Sequence, residues 1–379
     1  MTIQAPDTQQ LQDSFTVLDT SLSFQTPDCK QWWDSVCPAI SRHLKHTGYP
    51  SCIAGDTAPL DISVNYQSSK CTFRITMEPI GPYAGTNADP MNELAARQLL
   101  HRLGHIQPGI DLAWYDCLDD AMLIKNNLAR EHGDALAQFH SKTQTLIGLD
   151  LHKAGSFTVE AYFFPHLRAA ATGEGWADVM FSAIRKLDDT AGFSRTVDRI
   201  EAYVRSIRPR LVPEKPNVAI DCKSPATSRV KVYAAMETSS LQEVYDFWTL
   251  GGSLQGKHIE QGLEIVKSMW TMLYDELLPG NIPREAMTVH CNWEFSPSNP
   301  TPVPKAYFLL ADDHDQHVVQ AVTTLFQDLG WEHHVRTHEA LARESEISEA
   351  STQVYTWLSF AYSKTSGPYI TVYAKPFCW

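Results

Sequence analysis

Arg229, Lys231 and Tyr233 stand at alternate positions in Ser228-Arg229-Val230-Lys231-Val232-Tyr233, interleaved with Val230, Val232 and then Ala234. β-Branched residues alternating with long polar ones predict a strand. Successive side chains of a strand point to opposite faces, so the two cations and the phenol share one face. That face suits a polyanion lying next to an electron-poor group. A half-buried strand turning its polar face to water would show the same alternation. Recurrence favours the first meaning. Arg74-Ile75-Thr76-Met77-Glu78-Pro79, Val159-Glu160-Ala161-Tyr162-Phe163-Phe164-Pro165, Lys305-Ala306-Tyr307-Phe308 and Tyr369-Ile370-Thr371-Val372-Tyr373 repeat the phase at intervals of roughly 65 to 90 residues. This is a weak internal repeat. Five such strands side by side, with the same face inward, would bring Arg, Lys and Tyr side chains into one chamber.

The elements that must position these residues follow from periodicity and turn signals. Five hairpins are predicted: 60–66 with 71–78, 143–151 with 156–164, 218–222 with 229–236, 287–295 with 304–310, and 355–362 with 369–375. The fourth is expected to turn through the Pro-rich segment 296–302. Helical spacing predicts helices over 28–46, 92–103, 121–139 (with a break near His132-Gly133), 176–187, 194–205, 241–250, 259–277, 315–329 and 339–348. Residues 1–25 are polar and expected to be partly loose, and 50–59 is loop-like. Adjacent antiparallel strands cannot build a doubly wound sheet, and ten twisted strands tend to close. The expectation is an α+β fold in a single domain over 1–379: a ten-stranded antiparallel barrel ringed by helices, polar face inward.

Composition narrows the function. The chain has 379 residues and a formal charge of -13, which disfavours a nucleic-acid partner. No run of about 18 apolar residues predicts a membrane span, and the N-terminus lacks the pattern of a secretory signal. Eight scattered cysteines without a C-x-x-C pair are expected to be buried free thiols in a reducing cytoplasm rather than disulfides or a zinc site. The adjacent His333 and His334 are expected to point different ways, and no zinc-type spacing occurs. Asp312-Asp313-His314-Asp315 lacks the register of an aspartate-rich Mg²⁺ motif and is expected to be a solvated turn. The segment 81–85 has no P-loop Lys-Ser/Thr after it.

Taken in order, Pro59-Leu60-Asp61-Ile62-Ser63, Arg74 to Pro79, Ala161-Tyr162-Phe163-Phe164-Pro165 after Gly148-Leu149-Asp150-Leu151, Ser228 to Tyr233 and Tyr369 to Tyr373 resemble the fungal aromatic prenyltransferases of the dimethylallyltryptophan synthase type. The resemblance runs from about Trp32 to Tyr373 and implies a barrel of five α-β-β-α repeats, agreeing with the architecture above. It implies that Asp61, beside Leu60, holds the N–H of an aromatic acceptor, where the family usually has Glu. It implies that Arg74, Arg229, Lys231 and Lys364 hold a diphosphate, and that Tyr162, Tyr233, Tyr307, Tyr369 and Tyr373 surround an allylic group. Two departures stand out: Glu160 replaces an expected Lys, and Lys305 replaces an expected Gln. Lys305 is expected to pair with Glu160 or to take over a phosphate contact, leaving five cations in the chamber against one extra anion.

The chemistry explains these residue types. Breaking an allylic C–O bond builds charge on the leaving diphosphate, and fixed Arg and Lys groups stabilise it without reorganising. The allylic cation needs tyrosine faces, each contributing roughly 0.5 to 2 kcal/mol, and exclusion of water. Asp61 would make the arene more electron-rich and orient it; Asp61 and Lys231 are the residues expected to act in catalysis. The implied partners are a prenyl diphosphate and an aromatic small molecule, an indole or a phenol, in secondary metabolism, with no cofactor and no required Mg²⁺. A homodimer is compatible with the sequence. Two alternatives stay open: a terpene-synthase-like enzyme that ionises a longer prenyl diphosphate without an arene, and a non-catalytic small-molecule binder.

Overall fold

A strand that is apolar on one face must bury that face against another layer, and the segments between the hairpins supply it. The computed structural model describes residues 49–53, 60–152, 155–187, 192–275, 287–310, 315–344 and 354–375. The expected helix over 28–46, the segment 1–25, most of the loop 50–59 and the acidic residues 312–314 lie outside these ranges.

Ten strands form five hairpins: β1 (Leu60–Gln67) with β2 (Lys70–Met77), β3 (Thr145–Leu151) with β4 (Phe157–Phe163), β5 (Asn217–Asp221) with β6 (Val230–Thr238), β7 (Met287–Ser296) with β8 (Asn299–Leu309), and β9 (Tyr355–Ser363) with β10 (Gly367–Ala374). Every pairing is antiparallel. Consecutive hairpins pair side by side, and β10 returns to β1, closing the barrel in the order β1-β10-β9-β8-β7-β6-β5-β4-β3-β2. The expected closed ten-stranded barrel is what the chain forms.

Between hairpins run α1 (Ala95–Ile106), α2 (Ala113–Met122), α3 (Asn126–Glu131) and α4 (Gly133–Ala137), then α5 (His166–Thr172), α6 (Trp176–Lys186) and α7 (Ser194–Ser206). α8 (Leu241–Trp248) and α9 (Lys257–Trp270) follow β6, and α10 (Asp315–Asp328) and α11 (Glu332–Glu344) follow β8. The outward side chains Ile62, Phe73, Ile75, Leu149, Val232, Trp293 and Phe360 join Leu99, Leu118, Met180, Ile184, Phe247 and Trp248 of these helices in one buried cluster. Each such side chain contributes about 1.5–3 kcal/mol. The core therefore lies between barrel and helices, and the inner face of the barrel is left to polar groups.

Several expectations need correction. β8 begins at Asn299 and runs through Pro300, Pro302 and Pro304, leaving only two residues for the turn expected over 296–302. β9 pairs β8 only from Lys305 onward, so these prolines sit where one edge of the strand has no ladder to break. The helix expected over 121–139 is two short helices broken at His132, as anticipated, but preceded by an extended Leu123 and by α2. α5 was not anticipated; seven residues are too few to establish a period. The last helix begins at Glu332 rather than at 339, and residues 345–348 of the expected one lie outside the described ranges. His333 and His334 do not diverge: their ring centroids are 3.8 Å apart, and His334 reaches the Gln67 carbonyl. Asp315 is no solvated turn residue. It is buried at the start of α10 and accepts the backbone N–H groups of Val354 and Tyr355, holding the start of β9.

Candidate functional site

Inward-facing residues recur every second position, a step of ~6.6 Å along a strand. On β4 they are Glu160 and Tyr162; on β6, Lys231 and Tyr233, with Arg229 just before the strand. On β7 they are Glu294, Asn292 and His290, and on β8 Lys305 and Tyr307. β10 gives Tyr369, Thr371 and Tyr373; β2 gives Arg74 and Thr76; β1 gives Asn65, Ser63 and Asp61. The register carries the phase round the ring, opposing Arg74 to Asp150, Glu160 to Asp221, Lys231 to Glu294 and Asn292 to Lys305. Charged groups therefore gather at one end of the interior, tyrosines at the middle, and Asp61 and His290 at the other end.

At the charged end, every cation of the first row meets a carboxylate. The Arg74 guanidinium donates to both Asp150 oxygens (2.6 and 2.8 Å) and lies 3.1 Å from Glu160 Oε2. Arg229 makes the same forked contact with Asp221 (2.7 and 2.8 Å) and reaches Glu294 at 3.1 Å. Lys231 Nζ donates to Glu160 Oε1, with Glu294 3.9 Å away, and Lys223 lies 3.0 Å from Asp221. Burial opposes ionisation of Glu160, but Lys231 and Arg74 hold its carboxyl below the usual range. Asp150 is likewise brought down to about 2, Arg74 outweighing burial. Glu160 is thus not the single extra anion. Asp150, Asp221 and Glu294 stand with it, four carboxylates in all.

The expected pairing of Lys305 with Glu160 does not form. Lys305 Nζ donates to Thr371 Oγ1 at 3.0 Å, and Thr371 in turn donates to Asn65 Oδ1 at 2.7 Å. The ammonium lies 5.0 Å from the Tyr307 ring centroid and 4.8 Å from that of Tyr369, within cation–π range. Burial and the charges of Arg74 and Lys231 lower its pKa well below the ordinary lysine value. Lys364 lies exposed on the β9–β10 turn, on the rim of this same end and outside the chamber.

Tyr162, Tyr233, Tyr307 and Tyr373 form a belt, with successive centroids 5.8, 6.0 and 6.1 Å apart. The Tyr162 hydroxyl donates to Glu160 Oε2 (2.8 Å), and Asn292 Nδ2 donates to the Tyr307 oxygen (2.8 Å), so these two phenols are tied toward the charged end. Burial pushes the Tyr373 phenol up to about 12, leaving it neutral at ordinary pH. Above the belt opens a cavity of about 530 Å³, within the usual range for small-molecule sites. Its walls include Leu60, Asp61, Thr76, Leu146, Phe164, His290, Trp357 and the four belt tyrosines. Burial, offset by no cation's charge among the described residues, raises Asp61 to about 8.

The structure thus gathers Leu60, Asp61, Arg74, Glu160, Tyr162, Arg229, Lys231, Tyr233, Lys305, Tyr307, Tyr369 and Tyr373 along one interior. Asp150, Asp221, Glu294 and His290 escaped the sequence analysis. Each sits on the partner strand of a recognised one, and only the register reveals which face it shares. Among the described residues no group of three or more His, Cys, Asp or Glu is arranged to hold a metal ion, and no helix is long and apolar enough to cross a membrane.

A family model described as tryptophan dimethylallyltransferase matches residues 35–340. An indole diterpene prenyltransferase, anaPT of Neosartorya fischeri, is 31% identical over 355 residues, covering 89% of this chain and 79% of that protein. Tryptophan dimethylallyltransferase 1 of Claviceps purpurea is 27% identical over 417 residues, covering 96% and 92%. The crystal structure of AnaPT superimposes with a TM-score of 0.85 at 27% identity, covering 98% of this chain and 95% of that one. That of NotF bound to brevianamide F and DMSPP gives 0.86 at 23% identity, with 99% and 96% covered, a likeness of fold.

Proposed function

The chain belongs to the tryptophan dimethylallyltransferase family, and from that premise we propose that it moves a dimethylallyl group from its diphosphate onto an indole-bearing small molecule by electrophilic aromatic substitution. The observation that carries this is the order along the barrel interior: cations, then a belt of neutral phenols, then a cavity with Asp61 in its wall.

The diphosphate docks at the charged end, where Arg74, Arg229, Lys231 and Lys305 turn from their carboxylates and hydroxyls toward phosphate oxygens. The allylic C–O bond breaks with its electron pair leaving on the diphosphate, and these fixed charges stabilise it. The prenyl cation lies within the belt of Tyr162, Tyr233, Tyr307 and Tyr373, whose ring faces stabilise it and keep water away. Tyr369 shields the same region from the Lys305 side. The arene occupies the cavity above, its N–H donated to Asp61, which raises the ring's electron density and orients it toward the cation. Because side chains supply the countercharge, turnover is expected to persist without divalent metal.

Incubation with dimethylallyl diphosphate and a panel of tryptophan, other indoles and phenols, with EDTA present, tests this. The expected result is a prenylated indole with one equivalent of diphosphate. Absence of both product and diphosphate release with every C5 to C15 donor would refute it, and a requirement for Mg²⁺ would overturn the metal-free step.

A further inference from the structure

Aromatic substitution ends with loss of a proton from the prenylated ring, and none of the groups assigned above takes it. We propose that His290 is the base that accepts this proton, an inference that rests on the prenyl-transfer reading of the same chamber.

His290 faces inward from β7, four residues and ~13 Å along the strand from Glu294 at the charged end. It stands instead opposite Tyr307 in the register and lines the cavity. Counting round the barrel by the shorter way, β7 is four strands from β1, so His290 and Asp61 lie on nearly opposite walls. An arene anchored through its N–H to Asp61 turns its far edge to β7. Trp357, with its centroid 4.5 Å from the imidazole, packs against the ring from one side. The imidazole is half-buried; Nε2 is closed off from the cavity with no hydrogen-bond partner among the described residues, which leaves Nδ1 as the nitrogen open to the arene.

The chemistry of the other wall groups points the same way. Lys215 and Cys52 are exposed. Lys375 follows Ala374, which opposes Ile62, and so falls on the Asp61 wall. Asp61 is occupied by the acceptor, and the belt phenols are neutral. His290 is the one imidazole among the described lining residues. Burial, with the nearby Lys215 charge adding to it, brings it down to about 3, so it is uncharged at neutral pH and carries a free lone pair. An arenium ion is a much stronger acid than that imidazolium, so a weak base in position suffices. In the step, the C–H bonding pair returns to the ring and restores aromaticity. The proton passes to the imidazole and then to water at the cavity mouth.

The test compares wild type, His290→Gln and His290→Ala on the ring-deuterated form of whichever panel indole the wild type prenylates. Glutamine keeps a polar group in the place of the imidazole but cannot take the proton. Both variants are expected to lose at least ~100-fold in rate of product formation and to show a primary isotope effect absent from the wild type. Titration with inorganic diphosphate should be unchanged, which certifies a folded donor site. Wild-type rate without an isotope effect in either variant would overturn the proposal, as would glutamine restoring what alanine loses, since that marks an anchor and not a base. If the wild type itself prenylates no arene, the functional reading falls and takes this inference with it.

Discussion

A buried carboxyl beside two cations and a half-buried one that no described cation offsets titrate in opposite directions, and this chamber holds both kinds. Among the described residues no cation's charge offsets burial at Asp61, which rises from 3.8 to about 8. The folded state therefore binds its proton more tightly than the unfolded chain, and stability falls as pH climbs from about 4 to about 8. In Asp61→Asn this loss is absent: its melting temperature should match the wild type below pH 4 and exceed it above pH 8. Activity should move the other way. With the proposed role, in which the carboxylate holds the acceptor, wild-type kcat/KM for the acceptor should rise through about pH 8 while Asp61→Asn stays low and flat. A wild-type profile flat from pH 7 to 9 would show that the acceptor is not held by an ionised Asp61.

Between strands, what decides the site is the register, which sets residues of different hairpins against one another. Glu160, on β4, receives Lys231 of β6, Arg74 of β2 and the Tyr162 hydroxyl of its own strand. These are donors of the kind a phosphate oxygen would want, so Glu160 competes with the donor for them. Replacing it by Gln should tighten diphosphate binding about tenfold or more, equivalent to about 1.4 kcal/mol or more, read by calorimetric titration; weaker binding would mean that Glu160 organises the cations instead. Within one strand the alternation was legible: Arg229, Lys231 and Tyr233 share a face as their spacing predicts. Across strands it was not. Lys305 could be placed inside, but that it meets Thr371 rather than Glu160 depends on β9 and β10 intervening between β8 and β1. The same holds for Asp150 and Asp221, whose strands also carry recognisable apolar phases but whose charge partners lie on neighbours 76 and 8 residues away in sequence. Short helices such as α5 were hidden for a simpler reason, having too few turns to show a stripe.

For the molecule as a whole, closure is the property that turns a polar sheet face into a sheltered interior. The seam is the β1–β10 pairing, where Ser63 opposes Tyr373 and Asn65 opposes Thr371, so acceptor-end and belt residues meet across it. A chain ending at Ser366 lacks β10, leaving β1 and β9 with unpaired edges. It should lose the near-ultraviolet circular dichroism of the packed aromatics and associate in solution; a native spectrum from the truncated chain would mean that the barrel tolerates an open side. The closed architecture was legible from five hairpins separated by helices, because antiparallel neighbours with one apolar face leave few other solutions.

That seam also fixes when the enzyme can come into being. During translation β1 is made hundreds of residues before its partner, and no order of local folding can supply the missing edge early. A nascent chain must carry an incomplete half-pipe, basic groups and phenols bared to the surrounding water, until β10 clears the ribosome. The sheltered chamber is therefore complete only once the last strand has been made and has paired with the first.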